Sequence, residues 1–506
     1  MRKLIIARRC SQVFFLALFI HILWSTTYPL TGLLPPETFF RADPLIMIFT
    51  SISERIVLPG LVFSLIMLSV TLVLGRFFCG WICPLGTVID WTGALRKKST
   101  VPGERTSAMI RKIKFFILGL VALFALFGIQ TAWILDPMGM AARFVSLNFI
   151  PFVTLAADSL FITVFKGLQI YSGPLYDFYI TLKSSVLGVD IHYFVNSGII
   201  FMFFLIVCAA ALFVSRSWCR AVCPLGALYS VVARFSLLRR VVDKCSGCRA
   251  CVRECRMGAI TEDAGYVKGE CILCMDCVYV CPENAIRFTW PHLSDGVGSD
   301  SADISERGIS RKDFLFLALT SFFLSGFRRR NRRAGAANPR RNVIRPPGAL
   351  KENEFSDRCI RCGNCMKVCI TNGLQPVVLQ AGLEGIWTPQ LVPEIGYCEY
   401  NCTLCGNVCP TGALTRLSLE EKKKTKLGTA RINRSTCLPW SEGRECLLCE
   451  EHCPVPEKAI KVIREEAGGK VVLKPYVDGD LCIGCGICQN KCPVRPLRAI
   501  TVYAEQ

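Results

Sequence analysis

A membrane-embedded helical bundle of four to five spans, followed by two small cysteine-rich α+β domains, is the fold class predicted by this 506-residue sequence. Three observations predict it. Apolar residues make up 52% of the chain and mean hydropathy is +0.41, too greasy for a soluble array of small domains, and the apolar residues concentrate before residue 217. Beyond that point cysteine takes over: twenty-four of the thirty cysteines fall into six sets of four. The net charge of +20 has a local origin in basic loops and a linker, so it bears on topology and anionic lipid before nucleic acid.

The membrane part comes first. Hydrophobic runs near residues 11–33, 57–78, 115–135 and 195–215 are each long enough for a spanning helix of ~20 residues. A fifth run, 150–165, is shorter, carries Asp158 and is followed by Lys166, so it is read as not crossing; residues 137–194 then form interfacial helices and loops outside. Arg2, Lys3, Arg8 and Arg9 precede the first run, and Arg96, Lys97, Lys98, Arg105, Arg111, Lys112 and Lys114 separate the second from the third. Both segments therefore belong on the cytoplasmic side, with the N-terminus in. The first span is expected to stay uncleaved, because its long apolar stretch lacks a small-residue cleavage site.

Inside this region a motif repeats. R-x2-C-x3-C-P-L-G occurs at Arg76, Cys79, Cys83, Pro84, Leu85, Gly86 and again at Arg216, Cys219, Cys223, Pro224, Leu225, Gly226, each copy closing an apolar run. With the 150–165 run outside, the two copies emerge on the same cytoplasmic face; were it to cross, they would land on opposite faces. Lone Cys10 and Cys208 are read as small apolar packing residues. The repeated pairs are redox candidates, since duplication in register with proline and glycine is hard to obtain from packing alone.

The six quartets carry the chemistry. Four have the spacing C-x2-C-x2-C-x3-C that wraps a 4Fe-4S cluster: Cys245, Cys248, Cys251, Cys255; Cys271, Cys274, Cys277, Cys281; Cys359, Cys362, Cys365, Cys369; and Cys482, Cys485, Cys488, Cys492. Two looser sets, Cys398, Cys402, Cys405, Cys409 and Cys437, Cys446, Cys449, Cys453, still end in C-x2-C-x3-C-P. Three thiolates on a tight loop reach one cluster and the fourth points to its neighbour. In the first pair, Cys245, Cys248 and Cys251 are thus expected to share a cluster with Cys281, and Cys271, Cys274 and Cys277 with Cys255. Disulfide frameworks suit small secreted chains, and zinc ribbons need only two C-x2-C units, often with histidine, so neither fits six quartets. The expected content is about six 4Fe-4S clusters, about 24 iron atoms.

At these residues the chain resembles known families. The two C-x3-C-P-L-G motifs followed by two ferredoxin motifs resemble the NapH family of quinol dehydrogenase subunits, related to the NosR and CcoG membrane ferredoxins. From Arg345 onward the chain resembles the NapG/MauM four-cluster ferredoxins, through R-P-P-G-A-L at Arg345 to Leu350, C-I-R-C-G-N-C at Cys359 to Cys365, C-P-T-G-A-L at Cys409 to Leu414, and C-x8-C-L-L-C from Cys437 to Cys449. Three residues separate Cys398 from Cys402 where two are usual, and Arg256 and Ile370 stand where proline usually follows the fourth cysteine. The resemblance implies two bacterial-ferredoxin-like domains and nested pairing in the second: Cys359, Cys362, Cys365 with Cys492, Cys482, Cys485, Cys488 with Cys369, and the inner sets exchanging Cys409 and Cys453. Sequential pairing is the alternative, which spacing alone leaves open.

Between the two ferredoxin parts, Ser310-Arg311-Lys312-Asp313-Phe314-Leu315 opens a mostly apolar run to Phe327, followed by Arg328, Arg329, Arg330, Arg332, Arg333, Arg340 and Arg341. This resembles a twin-arginine export signal with lysine for the second arginine, and export of the distal domain is expected. The competing reading is an amphipathic tether for a cytoplasmic domain, which the trailing arginines favour. Absent motifs narrow the rest. Of His21, His192, His292 and His452 only His21 lies in a span, so a bis-histidine haem is not expected; no C-x-x-C-H offers haem c. No G-x-G-x-x-G follows a strand pattern, and the arginine run lacks the interleaved aromatics of a nucleic-acid surface. Asp136, Asp158 and Glu54 are candidate proton acceptors for quinol.

The domains expected are 1–236, a NapH-like transmembrane domain; 237–290, a two-cluster ferredoxin; 291–350, a linker; and 351–506, a four-cluster ferredoxin. The function expected is single-electron transfer between the quinone pool and a redox partner, a cytochrome or reductase. The setting is a prokaryotic inner membrane, with 237–290 cytoplasmic and 351–506 outside. Maturation or regulation in the NosR or CcoG manner, or anchoring of a catalytic subunit, are the alternatives.

Overall fold

The computed structural model describes residues 2–30, 32, 34–95, 104–169, 172–187, 192–243, 245–290, 315, 316, 318–323, 326, 342–467 and 470–505. They form two compact units: Met1–Leu23, Glu37–Ala142 and Phe201–Arg330 in one, and Trp24–Pro36, Arg143–Ile200 and Asn331–Gln506 in the other. The units follow contacts and cut across the four segments expected from the sequence. Residues 237–290 fold with the N-terminal helices, whereas 351–506 fold with 24–36 and 143–200.

In the first unit, helix Arg2–Trp24 and helix Glu104–Leu126 are the longest elements, at 23 residues each. Helix Pro44–Glu54 starts where Asp43 Oδ1 accepts from the amides of Leu45 (2.9 Å) and Ile46 (3.3 Å), with proline at its first position. Helix Leu61–Leu74 stops at Gly75, whose φ of 86° breaks the helical path. The repeated motif is also a repeated structure. Phe77–Trp81 and Ser217–Ala221 are short helices, each followed by a cysteine in extended conformation and then by Pro84–Ala94 or Pro224–Ala233. Cys83 (φ −60°, ψ 117°) and Cys223 (φ −64°, ψ 109°) cap those helices alike, each sulfur accepting from the glycine amide three residues on.

Strand Arg239–Val242 pairs antiparallel with Ile286–Thr289 and closes the proximal ferredoxin domain around its two cysteine loops. In the second unit, strand Gly428–Ile432 pairs with Ile500–Ala504 in the same way. The hairpin Ile460–Ala467/Lys470–Val477 lies between the two cysteine sets so enclosed. A smaller ladder, Leu374–Pro376 with Pro389–Leu391, and the bridge Ala349↔Leu414 hold residues 344–414 together.

Two helices among the described residues are long and apolar enough to cross a membrane, Lys3–Trp24 and Pro137–Leu168. The expected runs differ from this for physical reasons. Run 57–78 includes residues beyond the helix ends at Gly60 and Gly75, leaving 14 helical residues, or roughly 21 Å against a hydrocarbon core of ~30 Å. Run 195–215 yields the 17-residue helix Ser197–Phe213. Conversely, the run at 150–165, read as non-crossing, is part of a 32-residue helical stretch that continues through a π-turn at Val145–Phe149. Its disqualifying charge is compensated: Asp158 accepts from Lys183 Nζ at 2.8 Å and Tyr179 Oη at 3.0 Å, on the returning helical segment 174–187. Residues 310–314 of the export-like motif, Arg328 to Arg341, His292 and Arg96 to Lys98 lie outside the described residues. Phe316 and Phe322 pack beside Phe116 (6.2 Å) and Phe127 (6.4 Å).

Candidate metal centres

In the proximal domain each cavity draws its cysteines from both loops. Cys245, Cys248, Cys251 and Cys281 line one, and Cys255, Cys271, Cys274 and Cys277 line the other, of about 410 Å³. The exchange of fourth cysteines accompanies the short helices Ala250–Glu254 and Asp276–Val280, which carry the chain from the third to the fourth cysteine of each set and away from the first loop. Backbone amides donate to the exchanged sulfurs, Ala259 N to Cys255 at 3.2 Å and Ala285 N to Cys281 at 3.4 Å. Arg256, which replaces the usual proline, bridges Asp276 (2.5 Å) and Asp90 (3.4 Å).

In the distal domain the pairing is sequential, which corrects the nested expectation. Cys359, Cys362 and Cys365 line a cavity of about 370 Å³ with Cys409, not Cys492. Cys482, Cys485 and Cys488 line one of about 340 Å³ with Cys453, not Cys369. Electrostatic neighbours complete the pattern. Burial pushes the Cys398 thiol up to about 12, with Lys422 opposing and Cys369 among the thiols adding to the rise. Cys449 is likewise pushed up to about 12 by burial, with Cys437, Cys446 and Cys492 as its thiol neighbours. The cause of the sequential order is strand closure: Gly428–Ile432 pairs with Ile500–Ala504 and encloses sets 437–453 and 482–492 in one module, leaving 359–369 and 398–409 to exchange with each other.

A further cavity, of about 310 Å³, is lined by all four cysteines of the repeat, Cys79, Cys83, Cys219 and Cys223, together with Arg76 and Pro137. Both copies of the motif therefore meet at one place. Arg216 donates to the Cys79 carbonyl at 2.8 Å and forms a two-point ion pair with Asp90 (2.8 and 2.7 Å). Arg76 pairs with Glu270 at 2.8 Å, and Lys114 joins the same carboxylate at 2.5 Å. Burial would push Glu270 up, but Lys114 and Arg76 hold it down at about 2.

Next to the cavity stands a carboxyl pair. Asp136, which precedes Pro137 and caps its helix through Gly139 N (2.5 Å), shares a hydrogen bond with Asp43; both are fully buried. Burial and then the charge of Asp136 drive Asp43 well above the usual carboxylate range. Tyr229, fully buried, is within electrostatic reach of both aspartates and of Cys79 and Cys83. Sequence reasoning found Asp136 but missed Asp43 and Tyr229; D-P at both 43–44 and 136–137 was the available signal. Asp158 belongs to the other unit and is neutralised by Lys183, and Glu54 ends its helix half-buried. His192 contacts the Cys369 carbonyl at 2.8 Å and His452 that of Leu448 at 2.9 Å. Cys10 is exposed and Cys208 half-buried.

These donor sets suit a polynuclear cluster. All thirty cysteines are free thiols, and among the described residues no three His, Cys, Asp or Glu side chains converge closely enough for a single metal ion. A lone zinc ion would need four sulfurs at ~2.3 Å from one point. Four thiols lining one cavity, with amides donating to sulfur, are instead the donor set of a 4Fe-4S cubane.

A family model described as "4Fe-4S binding domain" matches residues 56–102, 197–244 and 405–427, and a second of the same description matches 475–498. The chain is 35% identical over 204 residues to the methylamine utilization ferredoxin-type protein MauM of Methylophilus methylotrophus, covering 39% of this chain and 85% of that protein. The MauM protein of Methylorubrum extorquens is 34% identical over 31% of this chain and 71% of its own length. The ferredoxin-type protein NapG of Escherichia coli is 35% identical over 29% of this chain and 65% of its own. No solved structure matches.

Proposed function

The chain belongs to the family of the ferredoxin-type proteins MauM and NapG, and from that premise we propose that it is a membrane-bound electron-transfer protein linking the quinol pool to an extracytoplasmic redox partner. The observation that carries this reading is the gathering of twenty-four cysteines into six four-thiol sites, two in the first unit and four in the second. Bound 4Fe-4S clusters would supply one-electron redox capacity. The ligands would be Cys245, Cys248, Cys251 with Cys281; Cys271, Cys274, Cys277 with Cys255; Cys359, Cys362, Cys365 with Cys409; Cys398, Cys402, Cys405 with Cys369; Cys437, Cys446, Cys449 with Cys492; and Cys482, Cys485, Cys488 with Cys453.

The protein's own part is to hold these sites and to handle protons. Burial and amide-to-sulfur hydrogen bonds, such as Leu414 N to Cys409 (3.4 Å) and Ala430 N to Cys482 (3.4 Å), tune the sites. In the N-terminal region, playing the NapH-like part, the Asp43–Asp136 pair is the group suited to take a proton from quinol, because burial of two neighbouring carboxyls raises their affinity for a proton.

The distal sites lie outside the membrane and the proximal ones in the cytoplasm. Residues 24–36 and 143–200, the segments beyond the first and third apolar runs, fold with the distal domain: Lys367 donates to the carbonyls of Trp24 (3.1 Å) and Thr26 (2.8 Å), and Asn372 to Tyr193 (2.9 Å). Arg8, before the first run, pairs with Asp276 of the proximal domain. Residues 316 and 322 follow 116 and 127 in the same order, so this segment leads outward alongside helix Glu104–Leu126. Protease added to intact spheroplasts should cut the distal domain, and Arg311→Lys with Lys312→Gln should protect it by blocking export. Full protection of the wild-type domain would contradict this sidedness.

A further inference from the structure

We propose that Cys79, Cys83, Cys219 and Cys223 together hold a seventh 4Fe-4S cluster, one site shared between the two copies of the repeat. The proposal extends the reading of the chain as an iron-sulfur protein and rests on it. The family model covers each copy separately; the structure brings two thiols from each to one cavity.

Four features set this cavity apart from a packed interior. Its lining gathers four buried thiols, two from each copy of the repeat, the same number that lines each ferredoxin cavity. Gly86 N and Gly226 N donate to Cys83 and Cys223 sulfur at 3.4 and 3.2 Å, as amides do at the ferredoxin cysteines. Cys83 and Cys223 cap helices of 11 and 10 residues, so two helix N-termini, each favouring negative charge, face the same sulfurs. Arg76, fully buried and lining the cavity, leaves Nε and Nη2 without a hydrogen-bond partner. An unpaired buried guanidinium donor is costly, and an anionic cluster with sulfide acceptors would satisfy it.

The glycines of the motif belong to the same design. A Cβ at Gly226 would fall 2.9 Å from Arg76 Nη2 and 3.4 Å from Cys223 sulfur. The C-P-L-G sequence thus clears space at the cavity while proline fixes the helix start behind the cysteine. A disulfide or a single ion would not need it.

The test uses the full chain, purified anaerobically in detergent, beside Cys83→Ala/Cys223→Ala. Iron, acid-labile sulfide and native mass spectrometry should give about 28 iron atoms in the wild type and about 24 in the variant, whose remaining clusters are still reduced by dithionite. Equal iron in both, near 24, overturns the seventh site and leaves the six-site reading standing. A loss of two irons overturns the cubane. Wild-type protein without clusters in the six quartets defeats the functional reading itself. Should the variant fail to fold, the wild-type mass decides: six cubanes with four alkylatable repeat thiols overturn the proposal.

Discussion

Gly80, between Cys79 and Cys83, packs against the backbone carbonyl of Ile272, between Cys271 and Cys274, with no space between them for a Cβ. One residue on, Trp81 Nε1 donates to the Leu273 carbonyl at 3.1 Å. The loop of the repeated motif and a ferredoxin ligand loop are therefore in direct backbone contact. Gly80→Ala must push them apart. We expect a destabilisation of about 1–3 kcal/mol in denaturant titrations, as for other overpacking changes, with slower quinol-driven reduction of the proximal clusters and unchanged iron content.

The buried pair Asp90–Arg216 ties the two copies of the motif together across 126 residues of sequence. Asp90→Asn leaves Arg216 uncompensated and should cost about 3–5 kcal/mol. Burial would raise Asp90, but Arg216, with Arg256 and Gln12, outweighs it and holds the carboxyl well below its usual range. A depressed carboxylate stabilises fully above its unfolded pKa of ~3.9 and loses that stabilisation as pH falls below it. The gap in melting temperature between wild type and Asp90→Asn should accordingly be widest near neutrality and shrink on acidification below about pH 4.

Pairing in the distal domain is testable by double substitution. Cys359→Ser with Cys409→Ser should remove one cluster, about four iron atoms, because both residues serve one site. Cys359→Ser with Cys492→Ser should remove two. The reverse outcome would restore the nested arrangement.

Asp136→Asn should lower the rate of quinol-driven cluster reduction by about 10²–10⁴-fold, the usual contribution of a positioned proton acceptor, while dithionite still reduces every cluster. Stopped-flow bleaching of the cluster absorbance reads both. An unchanged quinol rate would return Asp136 to a helix-capping role.

The cysteine chemistry was legible because ligand spacing is local: the exchange of Cys255 and Cys281 was expected from the C-x2-C-x2-C-x3-C pattern of two successive sets. Pairing in the distal domain was not, since it depends on strand Gly428–Ile432 finding Ile500–Ala504 some seventy residues away. The same limit hid Asp43, whose partner Asp136 is distant in sequence. Hydropathy cut the run at 150–165 short because it counts the charge of Asp158 without the Lys183 that offsets it, whereas the helical stretch there is continuous from Pro137 to Leu168. It likewise overcounted residues 57–78, where Gly75 ends the helix early. The repeat was visible in the sequence, but not that its two copies line one cavity.

Electrons are expected to pass between quinol and the cysteine-bound clusters of this chain. Adding a reduced menaquinol analogue to anaerobic, fully loaded protein and recording low-temperature electron paramagnetic resonance spectra tests it most directly. Signals of reduced 4Fe-4S clusters should develop with quinol alone and be lost in Cys83→Ala/Cys223→Ala. Clusters that stay oxidised with quinol yet reduce with dithionite would contradict the account.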